Sequence, residues 1–370
     1  MGRRRCAWGA VGAWAGGWSV LGGLLLFGAA CAPDLTLGPG AAEDCDDGLS
    51  ACGEGCVDTA IDVGHCGACG HDCQGGACVE GMCQPVRLGQ GPTLAFDVAV
   101  DAHSVYWTAQ GPGGAGEGAV SKVARDGSGE VTTIAGRQLA PRGLALDEED
   151  VYWVNQDGGA VLSAPKAGGS VRTIASGYTV RDVALHAGVV FWTSQTGAIL
   201  RAGPGAVGVV TLFEGDVGPD GIALDDQFVY WANRDTGDLL RVAQSGGVMD
   251  ADRLHSGPDG PTDIALDATH LYWSNHKTGE IMKVPLNGAE DAVVLSVEQD
   301  SQPFGIAVDT AYVYWASNGF GQVNRAPIGG GPRTVLASNQ DGPRRVLVEG
   351  GVLYWTNHTS GELMKLVPPP

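Results

Sequence analysis

Short apolar runs that end in an acidic residue recur along most of the chain, and an aromatic pair follows each run. In one copy, residues 264–267 form the run Ile-Ala-Leu-Asp, and Tyr272 and Trp273 form the pair. Seven pairs follow one another at spacings of 46, 39, 39, 42, 42 and 40 residues, which indicates a repeat architecture. The pairs are Tyr106-Trp107, Tyr152-Trp153, Phe191-Trp192, Tyr230-Trp231, Tyr272-Trp273, Tyr314-Trp315 and Tyr354-Trp355.

Each copy has the pattern of four short strands. The first strand ends in the acid, the second carries the aromatic pair, the third follows a Gly-x-apolar-x-Lys/Arg pattern, and the fourth follows a Gly-rich turn. Adjacent residues on a strand point to opposite faces, so each aromatic pair requires both faces of its sheet to be covered. Sheets stacked radially meet this requirement. The pattern therefore predicts an all-β, seven-bladed β-propeller over residues 85–370.

The two ends of the repeat region predict how the ring closes. The seventh copy, residues 346–370, supplies only three strands. Residues 85–89, Pro-Val-Arg-Leu-Gly, resemble the fourth strands at residues 170–174 and 331–335. We therefore expect Val86 to Leu88 to pair with the strand at residues 362–366 and to complete the last blade.

The N-terminal residues predict export. Arg3, Arg4 and Arg5 precede an uncharged and largely apolar stretch. Residues 27–31, Phe-Gly-Ala-Ala-Cys, resemble a bacterial lipoprotein signal, which implies removal of residues 1–30 and acylation of Cys31. Gly28 departs from the leucine usual at that position of the signal. The alternatives are a transmembrane anchor and a signal peptide cleaved elsewhere. All three place the later residues outside the cytoplasm, with residues 31–44 as a linker.

A compact block of cysteines follows the linker. A segment of 39 residues buries too little apolar surface to be stable alone, and four disulfides would compensate in an oxidising compartment. The sequence leaves the pairing open. The alternative is a zinc site, because Cys66 and Cys69 have suitable spacing and His65 and His71 lie nearby; export and the even count favour disulfides and no metal. The eight residues are Cys45, Cys52, Cys56, Cys66, Cys69, Cys73, Cys78 and Cys83.

Two resemblances extend this interpretation. Residues 66–73 resemble the Cys-rich leader found ahead of propellers in bacterial envelope lipoproteins, which implies an outer-membrane location, periplasmic or surface-exposed, and no particular activity. The aromatic repeats resemble the YWTD repeats of low-density lipoprotein receptor propellers, which implies protein binding. That family usually closes with six blades, whereas this chain has seven copies. Its fourth motif residue is Asp, but here it is Asn, Ser or Ala, and Asn can hydrogen-bond a turn backbone.

Charge and motifs limit the possible functions. Without Arg3, Arg4 and Arg5, the 19 remaining Lys and Arg residues face 42 acidic residues, a formal charge of −23 that disfavours nucleic acid as a partner. No metalloprotease, P-loop or nucleophile-elbow motif occurs after the leader. Residues 111–116 fit the glycine spacing of a dinucleotide loop, but no helical pattern follows them. We interpret them as a flexible insertion and expect no cofactor.

Propeller geometry identifies candidate binding residues. The residues just ahead of the first strands should ring the central opening, where charged side chains are not needed for packing and can orient a ligand. Mutual Asp–Arg pairs with no ligand are the alternative. His276 and His358 should be surface residues on the same face. We term the ring the collar, and it consists of Phe96, Asp97, Arg142, Arg181, Asp182, Asp220, Thr262, Asp263, Phe304, Arg344 and Arg345.

Three functions are consistent with these features. The first is a non-catalytic, lipid-anchored and monomeric envelope protein that binds a protein, peptide or glycan through the collar. The second is a propeller enzyme, a lyase or hydrolase, acting at the central opening; the streptogramin lyases are seven-bladed propellers with a different aromatic motif. The third is a spacer with no ligand. A pocket without a buried His, Glu or Asp cluster of displaced pKa would count against catalysis.

Overall fold

The computed structural model describes residues 45–370, apart from residues 47, 54, 114–115, 204–207, 216–217 and 258–259. The predicted signal peptide, the linker and the lipidation site Cys31 lie outside the described residues. The unit Glu43–Pro370 is compact. In the part of the chain that is described, no helix is long and apolar enough to cross a membrane.

Disulfides organise the Cys-rich segment, as the sequence predicts. Its strands form two hairpins, β1 (Ser50–Cys52) with β2 (Gly55–Val57) and β3 (Cys78–Val79) with β4 (Met82–Cys83). All eight cysteines are paired, so none offers a free thiolate to a metal. The pairs are Cys45–Cys56, Cys52–Cys69, Cys66–Cys78 and Cys73–Cys83.

Seven four-stranded antiparallel sheets follow, which confirms the predicted propeller. Blade 1 contains β6 (Ala95–Val100), β7 (Ser104–Ala109), β8 (Gly118–Ala124) and β9 (Thr132–Gln138). Blade 2 contains β10 (Pro141–Leu146), β11 (Asp150–Asn155), β12 (Ala160–Pro165) and β13 (Arg172–Ser176). Blade 3 contains β14 (Val180–His186), β15 (Val189–Ser194), β16 (Ala198–Ala202) and β17 (Val210–Glu214).

The remaining blades repeat this order. Blade 4 contains β18 (Pro219–Leu224), β19 (Phe228–Asn233), β20 (Asp238–Ala243) and β21 (Asp252–Ser256). Blade 5 contains β22 (Pro261–Leu266), β23 (His270–Asn275), β24 (Glu280–Pro285) and β25 (Val293–Val297). Blade 6 contains β26 (Pro303–Val308), β27 (Tyr312–Ser317), β28 (Gln322–Pro327) and β29 (Thr334–Ala337). Blade 7 contains β30 (Pro343–Glu349), β31 (Val352–Asn357), β32 (Glu362–Leu366) and β5 (Val86–Gln90).

Strand β5 closes the ring as predicted. It pairs antiparallel with β32, with Val86 opposite Lys365 and Gln90 opposite Glu362. Because the two strands come from opposite ends of the propeller sequence, their hydrogen bonds join the first and last parts of the ring in one sheet.

The aromatic pairs fill the spaces between blades. All seven tryptophans of the pairs are at most 1% exposed. Tyr230 of blade 4 belongs to the same buried cluster as Trp273 of blade 5, and Tyr272 of blade 5 to the same cluster as Trp315 of blade 6. Each pair therefore packs two neighbouring blades against each other, because its two side chains point to opposite faces of one sheet.

In five blades the acid at the end of the first strand binds the tyrosine of its own blade, whereas in blade 7 Tyr354 accepts a hydrogen bond from Arg125 instead. In blade 5, the Tyr272 hydroxyl donates to Asp267 at 2.6 Å, and the same carboxylate accepts the backbone N–H groups of Thr269 and His270 at 2.7 Å. Blade 3 has His186 in place of the acid and Phe191 in place of the tyrosine, so both partners of the bond are missing together. The same Tyr–Asp bond joins Tyr106 to Asp101, Tyr152 to Asp147, Tyr230 to Asp225 and Tyr314 to Asp309.

Asn residues at the fourth motif position do not use their side chains to bond the turn, contrary to expectation. The Asn155 amide donates instead to the side-chain oxygen of Gln138 in the preceding blade, at 3.1 Å. The same Gln138 oxygen accepts the Trp153 indole N–H at 3.0 Å. The turn is bonded through the backbone, as where the Gly237 N–H donates to the Asn233 carbonyl at 2.8 Å.

The Cys-rich segment contacts the propeller at the end opposite the collar. His71 Nε2 lies 2.9 Å from the Pro368 carbonyl oxygen, which follows the end of β32. At the opposite end of β32, Glu362 pairs with Asn357 of β31. Asn357 also pairs with Pro343, which lies at the collar end of β30. His71 therefore bonds the propeller at the end of β32 remote from the collar.

Candidate functional site

The collar residues lie within the innermost strands rather than just ahead of them, which corrects the predicted placement. In blade 2, Pro141 pairs with Asn155 and Leu144 pairs with Trp153, so Arg142 and Gly143 together oppose one residue of β11. This is a β-bulge, a feature that re-aims side chains at one end of a strand. The register shifts at the same place in the first strand of every blade.

The two bulge residues of each blade form two layers across the central opening. The structure brings every predicted collar residue to the lining of one pocket, together with Gly221 and Gly305. The mouth layer contains the second strand residues, Phe96, Arg142, Arg181, Asp220, Thr262, Phe304 and Arg344. The plug layer contains the third strand residues, Asp97, Gly143, Asp182, Gly221, Asp263, Gly305 and Arg345.

The plug layer alternates Asp and Gly over blades 1 to 6, and each Asp bonds the following blade. Asp97 accepts the backbone N–H of Leu144 at 2.8 Å, and Asp263 accepts that of Ile306 at 2.9 Å. Asp182 accepts the N–H of Ile222 at 3.2 Å. Each carboxylate therefore pairs an N–H near the bulge of the next blade.

The intervening glycines leave room for these carboxylates and for the neighbouring backbone. A Cβ atom at Gly143 would lie 2.2 Å from Asp182 Oδ1. A Cβ atom at Gly305 would lie 2.4 Å from the Arg344 carbonyl oxygen. Both distances are far below van der Waals contact, so the close approach of neighbouring blades requires glycine at these two positions.

Arg345 completes the plug layer in blade 7. Its Nε lies 3.1 Å from Asp97 Oδ1, and its Nη1 donates to Asp263. Burial favours loss of the Arg345 charge, but the carboxylates of Asp263, Asp97 and Asp182 outweigh it and raise the pKa of Arg345. Burial, opposed by Arg345 and reinforced by Asp97 and Asp263, raises the pKa of Asp182 to about 7.

The mouth layer is rich in arginine. Arg142 Nη2 lies 3.6 Å from Asp220 Oδ1, and its Nη1 donates to Gln156 at 3.1 Å. The Arg344 guanidinium carbon lies 3.9 Å from the ring centroid of Phe96 and 4.4 Å from that of Phe304, both within the range of a cation–π contact. Burial and the neighbouring Arg142 lower the pKa of Arg344 to about 9.

A third set of residues lines the rim, and its role is not predicted above. Each follows the fourth motif position and donates its backbone N–H to the residue just before the innermost strand of its blade, as Arg234 does to Gly218 at 2.9 Å. Arg234 Nη1 lies 3.9 Å from Asp220. The signal was available, because these residues occupy one fixed motif position: Gln110, Gln156, Gln195, Arg234, His276, Asn318 and His358.

The two rim histidines are part-buried, which corrects their predicted place on the surface. The His276 ring lies 4.5 Å from that of Phe304, and His358 Nδ1 lies 2.9 Å from the Ala95 carbonyl oxygen. Burial, followed by repulsion from Arg344, lowers the pKa of His358 to about 4. Burial and the charges of Arg234 and Arg344 lower that of His276. Both rings are therefore neutral at pH 7 and add no positive charge to the mouth.

The pocket above the plug layer is small. It encloses a cavity of about 50 Å³, room for a few water molecules or one small chemical group. A side cavity of about 110 Å³ adjoins it between blades 3 and 4, lined by Arg181, Gln195, Asp220 and Arg234 among others. On the other side of Arg345, the central channel widens to about 430 Å³ between aliphatic side chains of the innermost strands. Arg345 lines both spaces and so separates them.

No clear metal site appears in the described residues. The sulfur atoms of Cys66, Cys73 and Cys83 lie close together, but all three are in disulfides. The carboxylates of the plug layer already have Arg345 and backbone N–H groups as partners. The glycine-rich residues 111–116 lie between β7 and β8, where strand rather than helix follows.

The fold and this pocket define a seven-bladed β-propeller with an arginine-lined central opening, and solved structures share the fold. Streptogramin B lyase is 11% identical, with a TM-score of 0.65 over 76% of this chain and 97% of that one. A catalytically inactive virginiamycin B lyase from Staphylococcus aureus, with quinupristin, is 14% identical, with a TM-score of 0.65 over 76% and 98%. YCF48 bound to D1 peptide is 12% identical, with a TM-score of 0.60 over 77% and 94%.

These identities show a common fold alone, and the fold occurs in both enzymes and a peptide-bound protein. No protein-family model matches the chain, and no curated protein sequence matches it.

Proposed function

We propose that this chain is a non-catalytic, lipid-anchored protein of the bacterial cell envelope that binds a protein, peptide or glycan through the mouth of its central pocket. The observation that carries the proposal is Arg344. Among the described residues its side chain stacks on the rings of Phe96 and Phe304 and makes no hydrogen bond or ion pair, so its N–H groups remain available to a ligand. A charged side chain held in this way is not required for packing.

Further observations support binding at this end of the propeller. The hydrogen bond from the Cys-rich segment to Pro368 is at the other end, away from the mouth. YCF48 with the D1 peptide is an example of this fold bound to a peptide. Disulfide bonding of all eight cysteines of the Cys-rich segment supports an oxidising compartment, and the lipoprotein-like residues 27–31 support the anchor.

One observation favours the second candidate, an enzyme. The pocket does contain a buried carboxylate cluster, and Asp182 in it has a raised pKa of about 7. Two lyases also share the fold. However, Asp182 is only 8% exposed, and its two oxygens accept the N–H groups of Val183 and Ile222. These bonds give the carboxylate a structural role, so binding remains our proposal.

The test is affinity capture with the full chain, immobilised in detergent and exposed to solubilised cell envelope. We expect the wild-type chain to retain a ligand that the double variant Arg181→Ala and Arg344→Ala does not retain. The matched control is the double variant Arg172→Ala and Arg253→Ala, at exposed arginines of the outermost strands β13 and β21. This control should retain the ligand. Equal capture by all three proteins would contradict the proposal. Mass spectrometry of the released ligand would show chemical conversion if the chain were an enzyme.

A further inference from the structure

The mouth layer has an excess of positive charge that its own carboxylates do not balance. Arg142, Arg181 and Arg344 belong to this layer, in which Asp220 is the one carboxylate. At the rim, Arg234 adds one positive charge and the neighbouring Asp235 one negative charge, so the excess remains. Asp97, Asp182 and Asp263 of the plug layer lie below, where Arg345 and backbone N–H groups occupy them. The rim histidines are neutral at pH 7, because burial lowers their pKa values.

Two of these guanidinium groups have N–H donors without an acceptor. Arg142 is 5% exposed, and its Nε–H is buried without a hydrogen-bond partner in the described residues. Arg344 has only the two aromatic contacts. A donor that leaves water without gaining an acceptor is destabilising, so an acceptor bound to Arg344 would recover free energy.

The aromatic rings hold the guanidinium groups close together despite their like charge. The Phe96 centroid lies 4.2 Å from the guanidinium carbon of Arg142 and 3.9 Å from that of Arg344. Burial, followed by the charge of Arg142, favours deprotonation of Arg344 and lowers its pKa to about 9. An anion bound in the pocket that both residues line would relieve this repulsion. Guanidinium groups bind oxyanions well, because their planar fork matches two oxygens at once.

The size of the cavity limits what can enter. About 50 Å³ admits one end group and no complete sugar ring or peptide segment. The remainder of a larger ligand would lie over the rim, where the side cavity between Arg181 and Arg234 offers more room.

We propose that the central pocket lined by Arg142 and Arg344 is a binding site for a terminal oxyanion, a carboxylate or a phosphate group carried by the ligand. This inference rests on the proposed function, since it names the chemical group that the mouth recognises. Arg344 donates through the N–H groups of its guanidinium, Arg142 adds positive charge to the pocket, and Phe96 and Phe304 hold the Arg344 guanidinium in place.

The test is calorimetric titration of the full chain in detergent with sodium acetate and, separately, with inorganic phosphate, at pH 7 and low ionic strength. We expect at least one anion to bind to the wild type. Arg344→Met should weaken that binding about tenfold or more, because it removes the charge and the fork at similar volume. The anion affinity of Arg344→Lys should lie between those of the wild type and Arg344→Met. The control Arg172→Met alters an exposed arginine outside the pocket and should bind as the wild type does.

The stronger of the two anions identifies the ligand's end group as a carboxylate or a phosphate. Thermal unfolding of each variant separates lost binding from lost folding. Absence of binding by both anions, or equal binding by the wild type and a folded Arg344→Met variant, would overturn the inference. Arg344-dependent capture of an envelope ligand without anion binding would refute this site and leave the proposed function standing. Anion binding without Arg344-dependent capture would support this site and refute the proposed function.

Discussion

Arg345 Nε lies 3.1 Å from Asp97 Oδ1, and this contact joins blade 7 to blade 1 at the centre of the ring. Asp and Gly alternate in the plug layer through blade 6, but an odd number of blades cannot complete an alternating pattern. Arg345 occupies the position where the alternation fails. It binds carboxylates from blades 1 and 5, so one side chain connects three blades.

Loss of Arg345 should destabilise the propeller strongly. Arg345→Met leaves Asp97, Asp182 and Asp263 close together without a counter-charge, and we expect a loss of about 3 kcal/mol in the free energy of unfolding. The loss should shrink at acidic pH, because burial raises the pKa values of Asp182 and Asp263 and their protonation removes the uncompensated charge. Denaturant unfolding at pH 5 and pH 8 measures both effects. The control is the adjacent Arg344→Met, which breaks no ion pair; an equal loss in both variants would contradict the argument.

Asp182 should make the protein less stable as the pH rises. Its pKa of about 7 exceeds the value of about 3.9 expected in the unfolded chain, so the folded state binds more protons between these two values. The stability from this proton is therefore complete below about pH 4 and is lost as the pH rises through about 7.

Asp182→Asn removes this titration, and its stability relative to the wild type should increase from pH 5 to pH 8. The measurement is the free energy of unfolding at intervals of half a pH unit. Asp226→Asn, at an exposed carboxylate of the next blade, is the control and should run parallel to the wild type. A relative stability of Asp182→Asn that stays constant with pH would show that Asp182 does not titrate in this range.

The Tyr–Asp bond should be transferable between blades. Tyr272→Phe removes the hydroxyl that donates a hydrogen bond to Asp267 and should lower the free energy of unfolding by about 1 kcal/mol. Phe191→Tyr places a hydroxyl in blade 3, where His186 stands in place of the acid, and should be no more stable than the wild type. Adding His186→Asp should then recover stability by a similar amount. A double-mutant cycle measures this coupling, and a coupling near zero would mean that packing alone specifies the tyrosine.

Gly143 should tolerate no side chain. Gly143→Ala places a methyl group against Asp182 Oδ1, so the carboxylate and the bulge must shift, at a cost of about 1 to 3 kcal/mol. Gly247→Ala is the control, because a Cβ atom there meets nothing within 4 Å. The comparison of the two melting temperatures tests the close approach of blades 2 and 3, and similar temperatures would refute it.

Some features of the site were present in the sequence and were not interpreted. The aspartates of the plug layer belong to blades 1, 3 and 5, which also carry Thr108, Thr193 and Ser274 on the second strand, where blades 2, 4 and 6 have Val154, Ala232 and Ala316. Thr108 accepts the Asp97 N–H and donates to the Arg142 carbonyl in the next blade. The alternation therefore has a period of two blades. A comparison that treats every repeat as equivalent does not show it.

Periodicity by itself determined the architecture. Seven aromatic pairs at nearly equal spacing required sheets covered on both faces, and an incomplete last repeat required a strand from the other chain end. Both follow from local chain geometry, because side chains alternate along a strand. The even number of cysteines indicated disulfides in the same way, but not their pairing.

Only the tertiary structure decided what the collar residues do. Arg344 and Arg345 are adjacent in sequence, yet Arg344 faces the rings of Phe96 and Phe304 at the mouth. Arg345 instead joins the carboxylates of Asp97 in the neighbouring blade 1 and of Asp263 in blade 5. The bulge in each innermost strand separates them into two layers, and the carboxylates arrive from residues more than 80 positions away. Charge pairing over such distances depends on ring closure, so repeat spacing predicts the ring while three-dimensional proximity determines which arginine remains free.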